Sequence, residues 1–375
     1  MKGKSKGRVF LGMSGGVDSS VSAALLQKAG YEVTGVFMKV WQPDFLPCTW
    51  REERLDAMRV AAHLGIPLLT WDFEKEYKEG VADYMIAEYK AGRTPNPDVM
   101  CNREVKFGAF FRRAINEGAD FVATGHYART ALVESQKSIK SKADAKYKML
   151  KGVDDAKDQS YFLWTLGQEH LSKTFFPIGG YKKSQVRAFA KKFGLPVAEK
   201  KDSQGLCFVG KLDMKDFLAH YIEEKEGNVL NEKGEVIGTH RAAYFYTLGE
   251  RHGFTVTKKG TDDAPLYVVA KDFKTNTITV APFVKNALEC ASQELRASQA
   301  NFCSGRLPDT AKKYTAQVRY HGEQHKCKIT SFGESSFSLH LEKPAVFDAG
   351  QSVVLYDGDE CIGGGVIKLR YTENT

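Results

Sequence analysis

The 375-residue chain is 42% hydrophobic and 27% charged and carries a formal net charge of +8. That length implies two or three ordinary domains, and no apolar run reaches the roughly 18 residues that a membrane-spanning helix needs. The positive excess is local: residues 131–201 hold 15 Lys/Arg against 7 Asp/Glu, which accounts for the whole +8, as expected of a surface facing a polyanion.

Behind a basic N-terminus, Val9, Phe10 and Leu11 form too short an apolar run for a secretory leader, so a cytoplasmic location is the expectation. Residues 9–13 read as a strand, 17–29 as a helix stopped by Gly30, 33–40 as a strand, 51–64 as a helix ended by Gly65, and 66–73 as a third strand. A helix ends over 110–116, and a strand over 121–124 runs into Gly125 and His126. Residues 131–150 read as a polar loop with a short hairpin, and 184–193 as an amphipathic basic helix closed by Gly194. Such alternation implies a Rossmann-like parallel α/β sheet. Past residue 211 the pattern changes to a helix over 212–223 and short alternating runs, including 266–269 and 277–280 around the turn Lys274-Thr275-Asn276. Strands then follow over 314–320, 324–330, 336–341, 352–356 and 361–369, with the even spacing of a small closed β-barrel of five or six strands. The expected division is a catalytic domain over 1–211, a central linking domain over 212–285 and a C-terminal barrel over 286–375.

The sharpest motif is Gly12-Met13-Ser14-Gly15-Gly16-Val17-Asp18-Ser19-Ser20, between the first strand and the first helix. Adjacent glycines let backbone N–H groups close around an anion, and the helix N-terminus behind them adds partial positive charge. Ser14, Ser19 and Ser20 supply hydroxyls, and Asp18 suits a Mg²⁺ ion or a helix cap. The loop has neither the lysine and spacing of a Walker A motif nor the G-x-G-x-x-G pattern. It resembles the pyrophosphate loop of the N-type ATP pyrophosphatases, which split ATP between the α and β phosphates and adenylate a carbonyl oxygen. The resemblance implies an ATP site over residues 12–19. Met38 and Gly125, at the ends of neighbouring strands, are expected to complete it, because ligands sit outside the carboxyl edge of such sheets.

Seven cysteines are scattered with no C-x-x-C pair, which leaves no zinc ribbon and no thioredoxin-type motif. Cys48, Cys290, Cys303, Cys327 and Cys361 read as buried structural thiols. Two others stand in distinctive surroundings. Thr94-Pro95-Asn96-Pro97-Asp98-Val99-Met100-Cys101-Asn102 puts a carboxylate three residues before a thiol, behind prolines that imply a rigid, non-helical approach. Asp202-Ser203-Gln204-Gly205-Leu206-Cys207-Phe208 sets a second thiol in a glycine-flanked segment that reads as a mobile loop.

These two motifs, with A-T-G-H-Y-A-R at 123–129 and K-D-Q-S-Y-F-L at 157–163, resemble the bacterial tRNA-specific 2-thiouridylase family in order and spacing along the whole chain. The resemblance implies an adenine nucleotide α-hydrolase-like catalytic domain and 2-thiolation of the wobble uridine of tRNA. Cys207 is then the persulfide carrier, Cys101 the second catalytic thiol, and the two form a transient disulfide. Asn96, Pro97 and Asp98 contact the target base, with Asp98 as acid–base group. His126, Lys157, Asp158, Gln159, Arg319, Tyr320 and Gln351 match RNA-contact positions. ATP with Mg²⁺ is the implied co-substrate, and a cysteine desulfurase or sulfur-relay protein is the implied donor. The glutamate, glutamine and lysine tRNAs are the implied acceptors of a monomeric enzyme without membrane contact. Direct persulfide attack and prior release of hydrosulfide by Cys101 both remain open. So does an iron–sulfur cluster on Asp98, Cys101 and Cys207, although three ligands are an incomplete set. Two other kinds of protein share parts of the pattern: a small-molecule ligase of the ATP-pyrophosphatase type needs no thiol pair, and a non-enzymatic tRNA-binding protein needs no intact glycine loop.

Overall fold

A computed structural model describes residues 5–46, 50–133, 146–202, 214–257, 264–282 and 291–368. Alternating apolar runs at the N-terminus form β1 (Arg8–Gly12), α1 (Val17–Lys28), β2 (Glu32–Lys39), α2 (Trp50–Leu64) and β3 (Leu68–Asp72). Gly30, Gly65 and Gly194 end their helices with φ of 92°, 64° and 63°, the left-handed turn for which glycine is suited. Two longer helices then cross the sheet. The first, α3, joins Glu74–Tyr77, Lys78–Asp83 and Tyr84–Lys90, and α4 joins Pro97–Met100, Cys101–Phe110 and Phe111–Asn116. The middle run of each is π-helical, a widened turn that recurs at functional sites. The two widened runs meet where Gly80 lies against Glu104, and a Cβ on Gly80 would come within 2.9 Å of the Glu104 side chain.

Next come β4 (Phe121–Ala123), the hairpin β5 (Ala128–Leu132) and β6 (Tyr147–Lys151), β7 (Thr174–Phe175) and α5 (Lys183–Lys192). Strands β3-β2-β1-β4-β7 make one five-stranded sheet, parallel throughout. The two-residue β7 is too short to be read from the sequence. In the central region the helix expected over 212–223 is described from Met214 and ends at Ala219, with a turn at residues 220–221. Strands β8 (Gly227–Leu230), β9 (Val236–His240), β10 (Thr255–Val256), β11 (Leu266–Asp272) and β12 (Thr277–Pro282) form a second sheet in the order β10-β9-β8-β12-β11.

The C-terminal strands are β13 (Ser292–Phe302), β14 (Lys313–Gln317), β15 (Gln324–Gly333), β16 (Ser336–Ala345), β17 (Ser352–Asp357) and β18 (Glu360–Lys368). They run β13-β16-β15-β14-β17-β18, and β13 pairs with β18 to close a six-stranded barrel. β13 has no counterpart among the five strand ranges read from the sequence, because its inward face is carried mainly by Leu295 and Ala297 between polar neighbours. The expected hairpin near 131–150 exists as β5 and β6, but it is not a free loop. Its second strand pairs with β18, Leu150 opposite Glu360 and Met149 opposite Cys361, and so ties the first domain to the barrel. Among the described residues no helix is long and apolar enough to cross a membrane.

The domains share cores rather than merely touching. Trp71, Phe73, Tyr77 and Phe110 pack in one cluster with Phe217, Tyr246, Val268 and Ile278 of the central region. Phe107, Met149, Tyr161 and Trp164 pack with Val354, Tyr356 and Cys361 of the barrel. All three units meet at Asp348, which is 2% exposed. Its Oδ2 accepts from Lys271 Nζ at 2.7 Å, Thr94 Oγ1 at 3.0 Å and Leu248 N at 3.1 Å, while Oδ1 accepts from Ala349 N at 2.9 Å. Burying a carboxylate costs heavily unless it is paired and hydrogen-bonded, and this one is both. Lys271→Met leaves that charge buried without its cation. The expected loss is about 3–5 kcal/mol of stability, read as a lowered urea midpoint against the parent chain.

Candidate active site

In the parallel sheet the chain reverses its direction of winding between β1 and β4, whose carboxyl ends are neighbours (Leu11 opposite Ala123). A crevice opens at such a switch point, and the glycine loop lies in it. Met13 is buried, and its N–H donates to Val36 O at 2.8 Å, which anchors the loop to β2. Gly15 has φ +71°, and a Cβ there would lie 2.4 Å from Glu53 O and 2.8 Å from Ala57 N, so α2 permits glycine alone. Gly16 is the extended N-cap of α1. Ser19 and Ser20 donate to Gly16 O at 3.2 and 2.7 Å, whereas Ser14 stays exposed. Both expected companions touch the loop. The Met38 methyl would sit 2.9 Å from a Cβ on Gly12, and a Cβ on Gly125 would be 2.9 Å from Ser19 N and 3.0 Å from Asp18 C.

A charged network surrounds the loop. Asp18 Oδ1 accepts from Tyr127 OH at 2.8 Å, and Lys183 Nζ reaches Oδ1 at 2.8 Å and Oδ2 at 2.9 Å. Desolvation, reinforced by Asp18, pushes the Tyr127 hydroxyl far above its ordinary value and keeps it a donor. Lys183 also pairs with Asp202 Oδ1 at 2.9 Å, where Arg187 joins at 2.7 Å, and Lys157 takes Oδ2 at 3.0 Å. Lys200 Nζ bridges Gly15 O at 3.2 Å and Asp56 Oδ2 at 2.8 Å. Asp202 opens the segment that carries Cys207. Cys207, like Cys48 and Cys290, lies outside the described residues.

On the other side of the crevice, Asn96 caps α4, its Oδ1 accepting from Val99 N at 3.2 Å, and Pro97 takes the first helical position. The approach of Thr94, Pro95 and Asn96 is non-helical as expected, but Asp98 and Cys101 themselves lie in the helix. The correction has a simple cause: proline lacks an N–H that the first turn does not need. A spacing of three then puts the carboxylate and the thiol on one face. Cys101 is 6% exposed. Asn102 is buried, its Nδ2 donating to Phe162 O at 3.1 Å, and its Oδ1 has no hydrogen-bond partner among the described residues. The Asp98 side chain is open to water yet recessed among protein atoms, so desolvation raises its carboxyl while Lys106 pulls it back.

Lys106 connects the two halves. Its Nζ lies 3.5 Å from His126 Nε2, and His126 Nδ1 lies 2.8 Å from Thr124 Oγ1. Burial, then the Lys106 charge, holds His126 well below its usual value, so it is neutral. With an ammonium facing Nε2, the ring proton is assigned to Nδ1, which donates to Thr124. Thr124 leads directly into Gly125, which abuts Asp18 and Ser19. The thiol-bearing helix and the glycine loop are therefore joined through three side chains at one sheet edge. Lys106, Lys183 and Lys200 escaped the sequence reading, which quoted Asp202 only as part of the Cys207 motif. The available signal for Lys106 was a cation five residues beyond Cys101 in a helical register.

Three family models match the chain in succession. They are a tRNA methyl transferase HUP domain over 7–211, a tRNA methyl transferase PRC-barrel domain over 215–282 and an aminomethyltransferase beta-barrel domain over 292–367. The tRNA-specific 2-thiouridylase MnmA of Bacillus cytotoxicus is 46% identical over 367 residues, covering 97% of this chain and 95% of that one. Its counterpart in Streptococcus mutans is 44% identical over 377 residues, covering 100% and 98%. This chain belongs to the tRNA-specific 2-thiouridylase family. Among solved structures, a 4-thiouridine synthetase–RNA complex with bound ATP aligns at 21% identity and a TM-score of 0.37, covering 57% of this chain and 50% of that one.

The positions matched to RNA contacts in the 2-thiouridylase family have internal partners here. Asp158 Oδ1 accepts from Gly152 N at 2.9 Å and Ser160 N at 3.1 Å, and Gln159 Oε1 accepts from Tyr127 N at 3.0 Å. Arg319 and Tyr320 lie beyond the end of β14 rather than within it. Arg319 Nη2 donates to Leu248 O at 3.2 Å, and the Tyr320 ring sits 4.3 Å from that of Phe162. Gln351 Nε2 donates to Thr94 O at 2.9 Å and Pro95 O at 3.4 Å. His126 is turned inward, 6% exposed. Much of the charge excess in 131–201 is likewise paired, while Lys182, Lys192 and Lys201 are exposed, as is Lys191 in its surface pair with Glu199.

The network around Asp202 makes a pH prediction. Desolvation raises this carboxyl, but the hydrogen bonds and charges of Lys183 and Lys157 outweigh that and hold it at about 2, against an ordinary value of 3.8. A group depressed on folding stabilises above its unfolded value and loses that contribution as pH falls towards its folded value. Asp202→Asn is therefore expected to be less stable than the parent at pH 7. The gap in urea midpoint should close as pH falls from about 4 towards 2.

Proposed function

We propose that this chain thiolates tRNA: it adenylates the C2 oxygen of the wobble uridine with ATP and replaces that oxygen with sulfur, releasing AMP and pyrophosphate. The observation that carries the reading is the junction of the glycine loop with the Asp98 and Cys101 helix through Lys106, His126 and Gly125. Family membership at 46% identity over nearly the full length supports the same conclusion. A small-molecule ligase of the same fold needs the loop but has no use for a buried thiol one turn from a recessed carboxylate. The family-model descriptions mention methyl transfer, but a thiol pair in these motifs suits sulfur transfer better.

ATP enters as its Mg²⁺ complex. Backbone N–H groups in the stretch from Ser14 to Ser19 suit its phosphates, Met38 and Gly125 flank the nucleotide, and Lys183 and Lys106 offer cations at the two ends of the crevice. The uracil O2 attacks the α-phosphate and pyrophosphate leaves, which turns a poor leaving oxygen into AMP. A persulfide on Cys207, loaded by a cysteine desulfurase or a relay protein, brings the sulfur. Its terminal sulfur forms the new bond to C2 as the C–O bond to AMP breaks. Cys101, as thiolate, attacks the inner sulfur, so the S–S bond of the persulfide breaks and a Cys101–Cys207 disulfide forms. A thiol reductant then restores both. The alternative order, in which Cys101 frees hydrosulfide before attack, balances equally. Asp98 beside the base serves as acid–base group, and Asn96 and Pro97 complete its seat. Acceptors are the glutamate, glutamine and lysine tRNAs, bound by a cytoplasmic monomer through surface lysines and the barrel turns at Arg319, Tyr320 and Gln351. Among the described residues no cluster of three His, Cys, Asp or Glu could hold a metal ion. A cluster completed by Cys207 would give anaerobically purified protein a visible iron–sulfur absorbance.

Cys101→Ser and Cys207→Ser are each expected to abolish 2-thiouridine formation with a physiological sulfur donor while ATP binding persists. Nucleoside analysis of the tRNA and a nucleotide-binding titration read the two outcomes, and full thiolation by either variant overturns the mechanism. The affinity for tRNA should fall steeply with salt, its logarithm dropping by about 0.7–0.9 per phosphate contact for each tenfold rise in salt concentration. A flat response in a filter-binding series counts against the lysine-rich surface.

A further inference from the structure

The segment that bears Asn96, Asp98 and Cys101 is held from outside its own domain. Thr94 N donates to Ala349 O at 2.8 Å, and Gln351 returns two bonds to the carbonyls of Thr94 and Pro95. Gly350 has φ +89°, and a Cβ there would lie 2.8 Å from Thr94 O, so the barrel turn lies directly against the Thr94 backbone. Thr94 Oγ1 donates to Asp348 Oδ2 and lies 3.2 Å from Thr247 Oγ1. On Asp348 Oδ2 also converge Lys271 Nζ and Leu248 N of the central domain. Lys271 Nζ further donates to Tyr246 O at 3.0 Å and Gly92 O at 3.4 Å, which holds the chain just before Thr94.

Torsional stiffness passes this restraint on. Pro95 and Pro97 have fixed φ, and each proline restricts the residue ahead of it, Thr94 and Asn96. A shift of Thr94 has few dihedrals in which to be absorbed before the helix begins at Pro97. It therefore arrives at Asp98 and, one turn on, at Cys101. A second barrel turn touches the neighbouring segment: Tyr320 packs on Phe162, whose carbonyl accepts from Asn102 Nδ2 at 3.1 Å.

We propose that Asp348 is a positioning residue for the thiolation described above, an inference that rests on that reading. From the barrel, and with Lys271 of the central domain, it fixes Thr94 and Pro95 and so sets where Asp98 and Cys101 stand relative to the bound base. It acts through Thr94 and not on the reacting atoms.

The test uses the full chain, with Asp348→Asn and the shape-preserving Thr94→Val measured beside the parent. Single-turnover thiolation is followed at saturating ATP and tRNA, well below each melting temperature, together with the Kd for ATP and for tRNA. Positioning predicts a rate lower by about 10- to 100-fold with both affinities unchanged, the scale of a displacement near 1 Å. Thr94→Val keeps the test decisive if Asp348→Asn does not fold. A parent-like rate in a folded variant overturns the proposal. So does a normal saturated rate with weakened tRNA binding, which assigns the turn to RNA contact alone. A parent chain that makes no 2-thiouridine takes down the proposed function and this inference with it, whereas an active parent with an equally active Thr94→Val takes down this inference only.

Discussion

The carboxylate of Asp348 is almost wholly removed from water, and the structure answers it with donors drawn from every part of the chain. A buried charge of this kind is tolerable only in one arrangement of its partners. The first domain supplies a hydroxyl, the central domain an ammonium and an amide, and the barrel its own backbone. Packing alone leaves domains free to slide by small amounts, because apolar contacts are not directional. Hydrogen bonds to one oxygen from three directions remove that freedom. The shared cores supply the bulk of the adhesion, and Asp348 supplies the register.

Around the glycine loop the logic is different. There the charges are many, partly exposed and mutually neutralising. Asp18, Lys183 and Asp202 alternate in sign, with Lys157 and Arg187 at one end and Tyr127 at the other. Partly exposed pairs exchange partners at little cost, since each is worth little in water. In the proposed function, a polyphosphate there would meet backbone N–H groups already in place and cations that can be recruited from carboxylates. Lys106 is a separate case. Its charge acts both on the neutral His126 imidazole and on the Asp98 carboxyl, and so reaches both halves of the site.

What could be read from the sequence follows from how local each signal is. The strand, loop and helix around residues 12–20 are specified by neighbours in the chain, and they stand where expected. The C-cap glycines are equally local. Six barrel strands were within the expected five or six, yet β13 itself was hidden because its alternation rests on small or isolated apolar residues. Asp98 and Cys101 were found by motif, but their helical setting was obscured by two prolines that more often signal a break. Lys183, Lys200 and Asp202 gain meaning only from partners up to 185 residues away, as Lys200 does with Gly15. No window on the sequence can show that. Asp348 was invisible for the same reason: in sequence it is one acid before a turn.

The pairing of β6 with β18 changes what the word domain means here. A closed barrel ordinarily has no free edge, yet β18 runs past its barrel partner and offers Glu360 and Cys361 to a strand from the first domain. Strand edges are sticky, and covering one removes a route to aggregation. Cut away at its boundary, the barrel would bare both that edge and the apolar surface under Trp164 and Met149. The three units therefore lack the independence of separable modules, and removing the barrel would disturb the first domain as well as the barrel itself.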